Sequence, residues 1–385
     1  MQLSVIILNY NVRYFLELCV RSVQKAVANL DAEIIVVDNN STDDSCAMMR
    51  ARFPQIKLIE NKENSGFPKG NNIGVAAANG EYICILNPDT VVAEDTFEKV
   101  LEFAKQQQNL GIVGVKLIDG TGNFLPESKR GTPTPFVAFT KVSGLHKIAP
   151  KQFGKYYANH LLENQSGKVD VLVGAFMVLK RELYLEVGGF DENCFMYSDD
   201  IDLSYTILKS GKSNFYFAET TVIHYKGEST IKDRQYMNRF REAMDFFYKK
   251  HFRTSALFDV FMKTGAFMFS LYKRRSNVPK KLPNSYFLVS ADERLREKVE
   301  NLLEKRVVRI DYADQNTLNS FVREHKNSGI EIVFDNRLTN FKTIIRNMES
   351  LKNSDITFKI IPESCEFLIG SNSSNDRGEV IKMES

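Results

Sequence analysis

Glu81-Tyr82-Ile83-Cys84-Ile85-Leu86-Asn87-Pro88-Asp89-Thr90-Val91-Val92 is the stretch on which the reading of this chain turns. Residues 82–86 are a short, almost continuous apolar run rich in β-formers, preceded by the Asn79-Gly80 turn signal. A strand buried on both faces of a parallel sheet reads this way. It stops at Asn87-Pro88, because proline cannot donate to a ladder and biases the residue before it away from helix. Asp89 therefore stands just past the carboxyl end of a central strand, where open α/β sheets bind ligands. A carboxylate there, with Thr90 beside it, suits a hard divalent cation that shares its shell with substrate phosphates. The same Asp89 also reads as opening a turn and capping a helix over 93–106.

Upstream, the pattern repeats. Residues 3–8 read as an opening apolar strand and 12–28 carry helical periodicity. The first residues lack a basic region and a small-residue cleavage site, so they read as a strand and not as a signal peptide. Residues 33–37 are a second strand, ending in Asp38-Asn39-Asn40-Ser41-Thr42-Asp43-Asp44, with caps on offer for a helix from Ser45. Residues 56–60 give a third, followed by Asn64-Ser65-Gly66-Phe67-Pro68-Lys69-Gly70-Asn71-Asn72-Ile73-Gly74 and an alanine-rich helix to Asn79. This alternation predicts a doubly wound, mostly parallel α/β sheet. Asp38 stands where an acceptor can read the N–H of a base. Lys69, in a glycine-rich loop, could meet a diphosphate, although a plain turn before a helix reads the same. No GxxxxGK[ST] is present and no GxGxxG follows the first strand, where Asn9-Tyr10-Asn11 stands instead.

Composition sets the bounds. The 385 residues are 43% hydrophobic and 26% charged, an ordinary globular balance with room for two domains. A net charge of +3 is too weak to argue for nucleic acid, and no nucleic-acid motif supports it. Five scattered cysteines without a CxxC pair read as reduced thiols of a cytoplasmic protein.

Downstream, 111–115 is another strand. Residues 121–165 are irregular and carry Lys141, His146, Lys147, Lys151 and Lys155 among aromatics, suiting an anionic acceptor, lipid headgroups or bulk solvent. After an apolar stretch at 169–179 and a short helix at 181–187 comes Gly189-Phe190-Asp191-Glu192-Asn193-Cys194-Phe195-Met196-Tyr197-Ser198-Asp199-Asp200-Ile201-Asp202-Leu203. Ser198 is a plausible N-cap, and capping explains one acid after it. It does not explain three within four residues, whose repulsion raises at least one pKa and leaves a candidate general base. His224, after a strand at 213–217, could ligate a metal, touch phosphate or serve the fold.

Taken together these motifs resemble the inverting family 2 glycosyltransferases of the GT-A fold, and most of all bacterial rhamnosyltransferases that extend polyprenyl-diphosphate-linked glycans. The resemblance spans residues 1–248. It rests on Val5-Ile6-Ile7-Leu8-Asn9-Tyr10-Asn11, Val36-Val37-Asp38-Asn39-Asn40-Ser41, the 64–74 loop, Asn87-Pro88-Asp89, and the acidic run ending at Leu203 with His224 beyond it. It implies Leu8 and Tyr10 around a base read by Asp38, with Lys69, Asn72 and Asn87 toward the ribose and diphosphate. Phe190, Asp191, Glu192 and Asp199 would lie on the acceptor side, and Asp200 would be the catalytic base. Asp89, with His224, would hold Mg2+ or Mn2+. Asn87 replaces the first acid of the family's DXD-type motif and Pro88 its middle residue, which thins the carboxylates. The QxxRW motif of processive polymerases is absent and there is no tryptophan, which implies transfer of one sugar. The implied donor is a nucleoside-diphosphate sugar, dTDP-rhamnose or a UDP-sugar, and the acceptor a glycan or lipid-linked hydroxyl. A sugar nucleotidylyltransferase would need a basic glycine-rich loop after the first strand, and a binder without turnover would not need the acid cluster.

Beyond this domain, read as residues 1–235, residues 236–275 form amphipathic helices. Residues 255–272, flanked by Lys249, Lys250, Arg253, Lys273, Arg274 and Arg275, suit an anionic inner leaflet of the plasma membrane or a face of their own domain. Residues 276–285 are a linker, 286–370 a small Rossmann-like α/β domain of unassigned role, and 371–385 a disordered tail.

Overall fold

The computed structural model describes residues 1–137, 155–225, 234–252, 283–311, 318, 320–322, 329–353, 355–373 and 378–383. The amino-terminal part runs β1 (Leu3–Asn9), α1 (Arg13–Ala26), β2 (Ala32–Asp38), α2 (Ser45–Arg52), β3 (Lys57–Glu60), α3 (Gly66–Ala76), β4 (Tyr82–Leu86), β5 (Thr90–Val91), α4 (Thr96–Lys105) and β6 (Leu110–Ile118). Then follow β7 (Gly167–Val169), β8 (Phe176–Lys180), α5 (Arg181–Glu186), α6 (Asp199–Lys209), β9 (Ser213–His224) and α7 (Arg234–His251). The strands form one sheet in the order β3-β2-β1-β4-β8-β6-β9-β5, with β7 also on β9. β1, β2, β3, β4, β6 and β9 run one way; β5, β7 and β8 run against them.

The unbroken apolar runs of β1 and β4 follow from helices on both faces. Leu3, Val5 and Ile7, with Tyr82, Cys84 and Leu86, pack against α1, α2 and α4. Ile6 and Leu8, with Ile83 and Ile85, pack against α3 and α6. α4 begins after Asp95, so Asp89 does not cap it. α7 lies on α6, with Phe247 and Tyr248 buried against Val171 and Ile201. Among the described residues no helix is long and apolar enough to cross a membrane. The interfacial segment proposed at 255–272 and most of the linker lie outside the described residues, as do Lys141, His146, Lys147 and Lys151.

The carboxyl-terminal part is β10 (Ser285–Val289), α8 (Glu293–Leu303), β11 (Val307–Ile310), β12 (Ile330–Asp335), α9 (Phe341–Leu351), β13 (Ile356–Ile361), β14 (Phe367–Ser371) and β15 (Glu379–Lys382). They form a second sheet in the order β11-β10-β12-β13-β14-β15. Within the tail expected to be disordered, Glu379–Lys382 is instead a strand paired antiparallel with β14, because Val380 and Ile381 find apolar neighbours there.

The two parts share one apolar core. Val12, Phe15, Leu18, Val91, Ile118, Ile223 and Tyr225 of the first join Phe341, Ile345, Met348, Phe367 and Ile369 of the second. Charges line the rim of this contact. Glu94 accepts from the backbone N–H groups of Phe341 (2.8 Å) and Lys342 (2.9 Å), capping α9 from the other domain. Lys116 pairs with Glu349 at 2.8 Å. Gly122, at φ +82°, carries no side chain because a Cβ there would come within 2.2 Å of the Met348 carbonyl.

Candidate active site

β1, β2, β4 and β9 end on the same rim of the first sheet. At the end of β2, Asp38 is almost fully buried, and both its oxygens are engaged. Oδ1 accepts from Asn9 Nδ2 and Oδ2 from the Ser41 N–H, each at 2.8 Å. Its neighbour Asn39 ties down the next loop: Nδ2 donates to Asn64 and Gly66, and Oδ1 accepts from Asn61 and Ser65. Gly66 sits at φ +82° against the Phe195 ring and carbonyl, an approach closed to any residue with a Cβ. Leu8 joins the core beside Gly70 of α3, whereas Tyr10 stays exposed at the rim. Lys69 is exposed, 3.9 Å from Glu63.

Asn72 faces elsewhere than a diphosphate. Its Oδ1 accepts from Tyr184 Oη (2.5 Å) and the Phe190 N–H (3.2 Å), and its Nδ2 donates to Phe190 O and Glu192 Oε1, both at 2.9 Å. That is the full capacity of an amide, so Asn72 ties α3 to the turn at 190–192. In this turn Phe190 packs edge-on to Phe67 and Tyr184. Asp191 accepts from Asn193 and pairs with Lys250 of α7 at 2.7 Å; against the pull of partial burial, these donors hold its carboxyl below the usual range.

At the end of β4, Asn87, Asp89 and His224 converge. His224 Nε2 lies 3.4 Å from Asp89 Oδ1 and 3.3 Å from Asn87 Nδ2, because β5 pairs Thr90 directly opposite His224. Among the described residues, Asn87 Oδ1 and His224 Nδ1 are buried without a hydrogen-bond partner. One carboxylate, one imidazole and one unsatisfied amide oxygen fit a divalent cation that draws its remaining ligands from a diphosphate. They do not make a closed cage: among the described residues no group of three or more His, Cys, Asp or Glu stands ready to hold a metal.

The acid cluster opens α6. Ser198 is the N-cap residue, but its hydroxyl donates to Ala243 O of α7 at 2.8 Å, so it does not cap through its side chain. Tyr197 before it stands at φ +81°, an uncommon state for a bulky residue that a surrounding structure must enforce. Asp202 is taken up by Lys250 (2.9 Å) and His251 (2.6 Å). Asp200 Oδ2 accepts from Arg130 Nη2 at 2.5 Å and the Gly174 N–H at 3.2 Å. The next residue, Ala175, accepts from the Asn87 N–H at 3.1 Å. The two distant acidic motifs therefore flank one short turn, with Asp200 on one side and Asn87-Pro88-Asp89 on the other. A polar cavity of about 590 Å³ lies between the domains, and none of these residues lines it.

Asp199 is the perturbed acid: burial, then the charge of Asp200, pushes its carboxyl up to about 7. Below pH ~4 it is protonated in folded and unfolded chains alike. As pH rises toward 7 the unfolded chain loses that proton first, so stability falls, and above 7 the full cost of a buried charge is present. Asp199→Asn should therefore be more stable than wild type at pH 8, by an amount on the order of a few kcal/mol at most. The gain should vanish near pH 4, as thermal unfolding at both pH values would reveal.

Sequence reasoning missed Arg130, Asn9 and Asn39. Two cations followed by glycine, Lys129-Arg130-Gly131, were the available signal. Both cations are buried, and Lys129 donates to the carbonyls of Tyr157, Ala158 and Leu161.

Residues 4–188 match the family described as Glycosyl transferase family 2. The N-acetylglucosaminyl-diphospho-decaprenol L-rhamnosyltransferase of Mycobacterium tuberculosis is 26% identical over 216 residues, covering 52% of this chain and 68% of that protein. The low-salt glycan biosynthesis hexosyltransferase Agl10 of Haloferax volcanii is 23% identical over 248 residues, covering 63% and 73%. Among solved structures, the mannosyltransferase PcManGT from Pyrobaculum calidifontis, in complex with GDP-Man and Mn2+, aligns with a TM-score of 0.46 at 17% identity, over 72% of this chain and 76% of that one.

Proposed function

The amino-terminal domain of this chain belongs to glycosyl transferase family 2, and on that premise we propose that it moves one sugar from a nucleoside-diphosphate donor to a hydroxyl of a glycan or lipid-linked acceptor, with inversion. The carrying observation is that Asp200 and the Asn87-Pro88-Asp89 end of β4 flank the same turn at 174–175.

In this reading Asp38 takes the base N–H and Tyr10 lies beside the base. Asp200 receives the proton of the acceptor hydroxyl as that oxygen attacks the sugar C1 from the face opposite the nucleotide. The C1–O bond to the diphosphate breaks as the new C1–O bond forms. Phe190, Asp191 and Glu192 shape the acceptor side, held to α3 by Asn72. Asp89, with His224, would hold Mg2+ or Mn2+, which would supply charge neutralisation for the departing diphosphate. A rhamnose-like sugar, given as dTDP-rhamnose, is the finer reading, supported by the rhamnosyltransferase relative; a UDP-sugar is its alternative.

A thermal-shift screen of nucleotide sugars with Mn2+ tests the donor class. Asp38→Ala should then weaken the nucleoside diphosphate of the best hit about tenfold or more by calorimetry, since a hydrogen bond to a charged group is lost. Equal affinity in mutant and wild type removes Asp38 from the base site.

A further inference from the structure

Arg130 is 8% exposed, although nothing about an arginine favours burial. Its backbone is fixed by a two-way bridge to Val171, N–H to carbonyl at 2.9 Å in each direction. From there Nη2 donates to Leu172 O at 3.1 Å and to Asp200 Oδ2 at 2.5 Å. The Gly174 N–H donates to the same oxygen. Oδ2 is thus filled by two donors, and among the described residues Oδ1 has no protein donor. It is the oxygen left to receive a proton.

Among the described residues, these charged and titratable groups surround the pair. Asp199 is its neighbour on α6. Asp202, further along α6, is already compensated by Lys250 and His251 of α7. Tyr184 and Cys194 face Asp199, while Tyr156, hydrogen-bonded to the guanidinium, and Tyr157 face Arg130. Two adjacent buried carboxylates do not both ionise cheaply. A guanidinium bonded to one of them decides which keeps the charge.

We propose that Arg130 is a positioning residue that holds Asp200 as the ionised member of the Asp199–Asp200 pair and aims its Oδ1 at the acceptor hydroxyl. This rests on the assignment of Asp200 as the base. Without Arg130 the pair would share its proton, and the charge needed for base catalysis would be lost at higher pH than in wild type.

The test compares full-length wild type, Arg130→Gln, Arg130→Lys and Asp200→Asn. One readout is hydrolysis of dTDP-rhamnose and UDP-N-acetylglucosamine with Mn2+, followed as kcat/KM over about pH 5–9. The other is a substrate-free titration of the aspartate carboxyls by NMR, assigned with Asp199→Asn. Arg130→Gln should raise the acid limb by about one to three pH units and merge the Asp199 titration with that of Asp200. Arg130→Lys should recover at least half of the shift, and nucleoside diphosphate affinity should stay constant. An unchanged titration and pH profile in Arg130→Gln, even with a lower melting temperature, overturns the proposal and leaves a purely structural arginine. Wild-type turnover in Asp200→Asn instead overturns the base assignment beneath it.

Discussion

Replacing Asp200 with asparagine should abolish turnover while the nucleoside diphosphate still binds. Base catalysis is worth about 10²–10⁴-fold, and a loss in that range is the expected result in steady-state donor turnover. Asparagine keeps the shape and still offers an oxygen to Arg130 and Gly174, so the turn at 174–175 should hold. What it loses is basicity. Calorimetry with the nucleoside diphosphate should match wild type, because the donor motifs at Asp38 and Asp89 are untouched. A variant with wild-type rates would move the base elsewhere, and Asp199, with its raised pKa, would be the next residue to replace.

The second large effect concerns the shared core. Phe15 is 2% exposed, packs edge-on to Tyr225 at 5.0 Å, and has Gly378 of the second domain against its ring. Phe15→Ala should cost roughly 3–5 kcal/mol, a large share of a typical domain stability. Because the cavity would open in a core built by both domains, urea unfolding should show one transition shifted as a unit. Circular dichroism suits the measurement, since the chain has no tryptophan. Two transitions, only one displaced, would mean that the domains unfold independently. Activity should fall as well: Tyr225 donates its N–H to the Asp89 carbonyl at 3.0 Å, so a shift there reaches the candidate metal site.

Much of this was legible beforehand, for physical reasons. β1, β2 and β4 are covered on both faces, so their apolar runs are unbroken and Asn, Pro and Asp mark their ends. β5 and β7 were not legible, because two- and three-residue strands owe their existence to distant partners such as His224 and Tyr216. β9 was read as ending at Phe217 and continues to His224, past the register shift opposite Val115 and Lys116. In the site, carboxylates at strand ends announce themselves. A buried arginine does not, since Arg130 is spelled like any surface cation and only the fold sets it against Asp200. Asn72 shows the converse, a side chain read toward a phosphate that tertiary contacts turn toward a loop.

The capping of α9 by Glu94 bears on the order of synthesis. The amino-terminal domain leaves the ribosome first and carries the carboxylate that the later helix needs. From Tyr225 until residue 382 follows, a span of roughly 8–30 s at common elongation rates, Val91, Ile118 and Tyr225 stand uncovered. The first domain then acts as a template on which the second closes, and slow elongation across residues 226–284 lengthens the interval in which that sticky face can find a wrong partner.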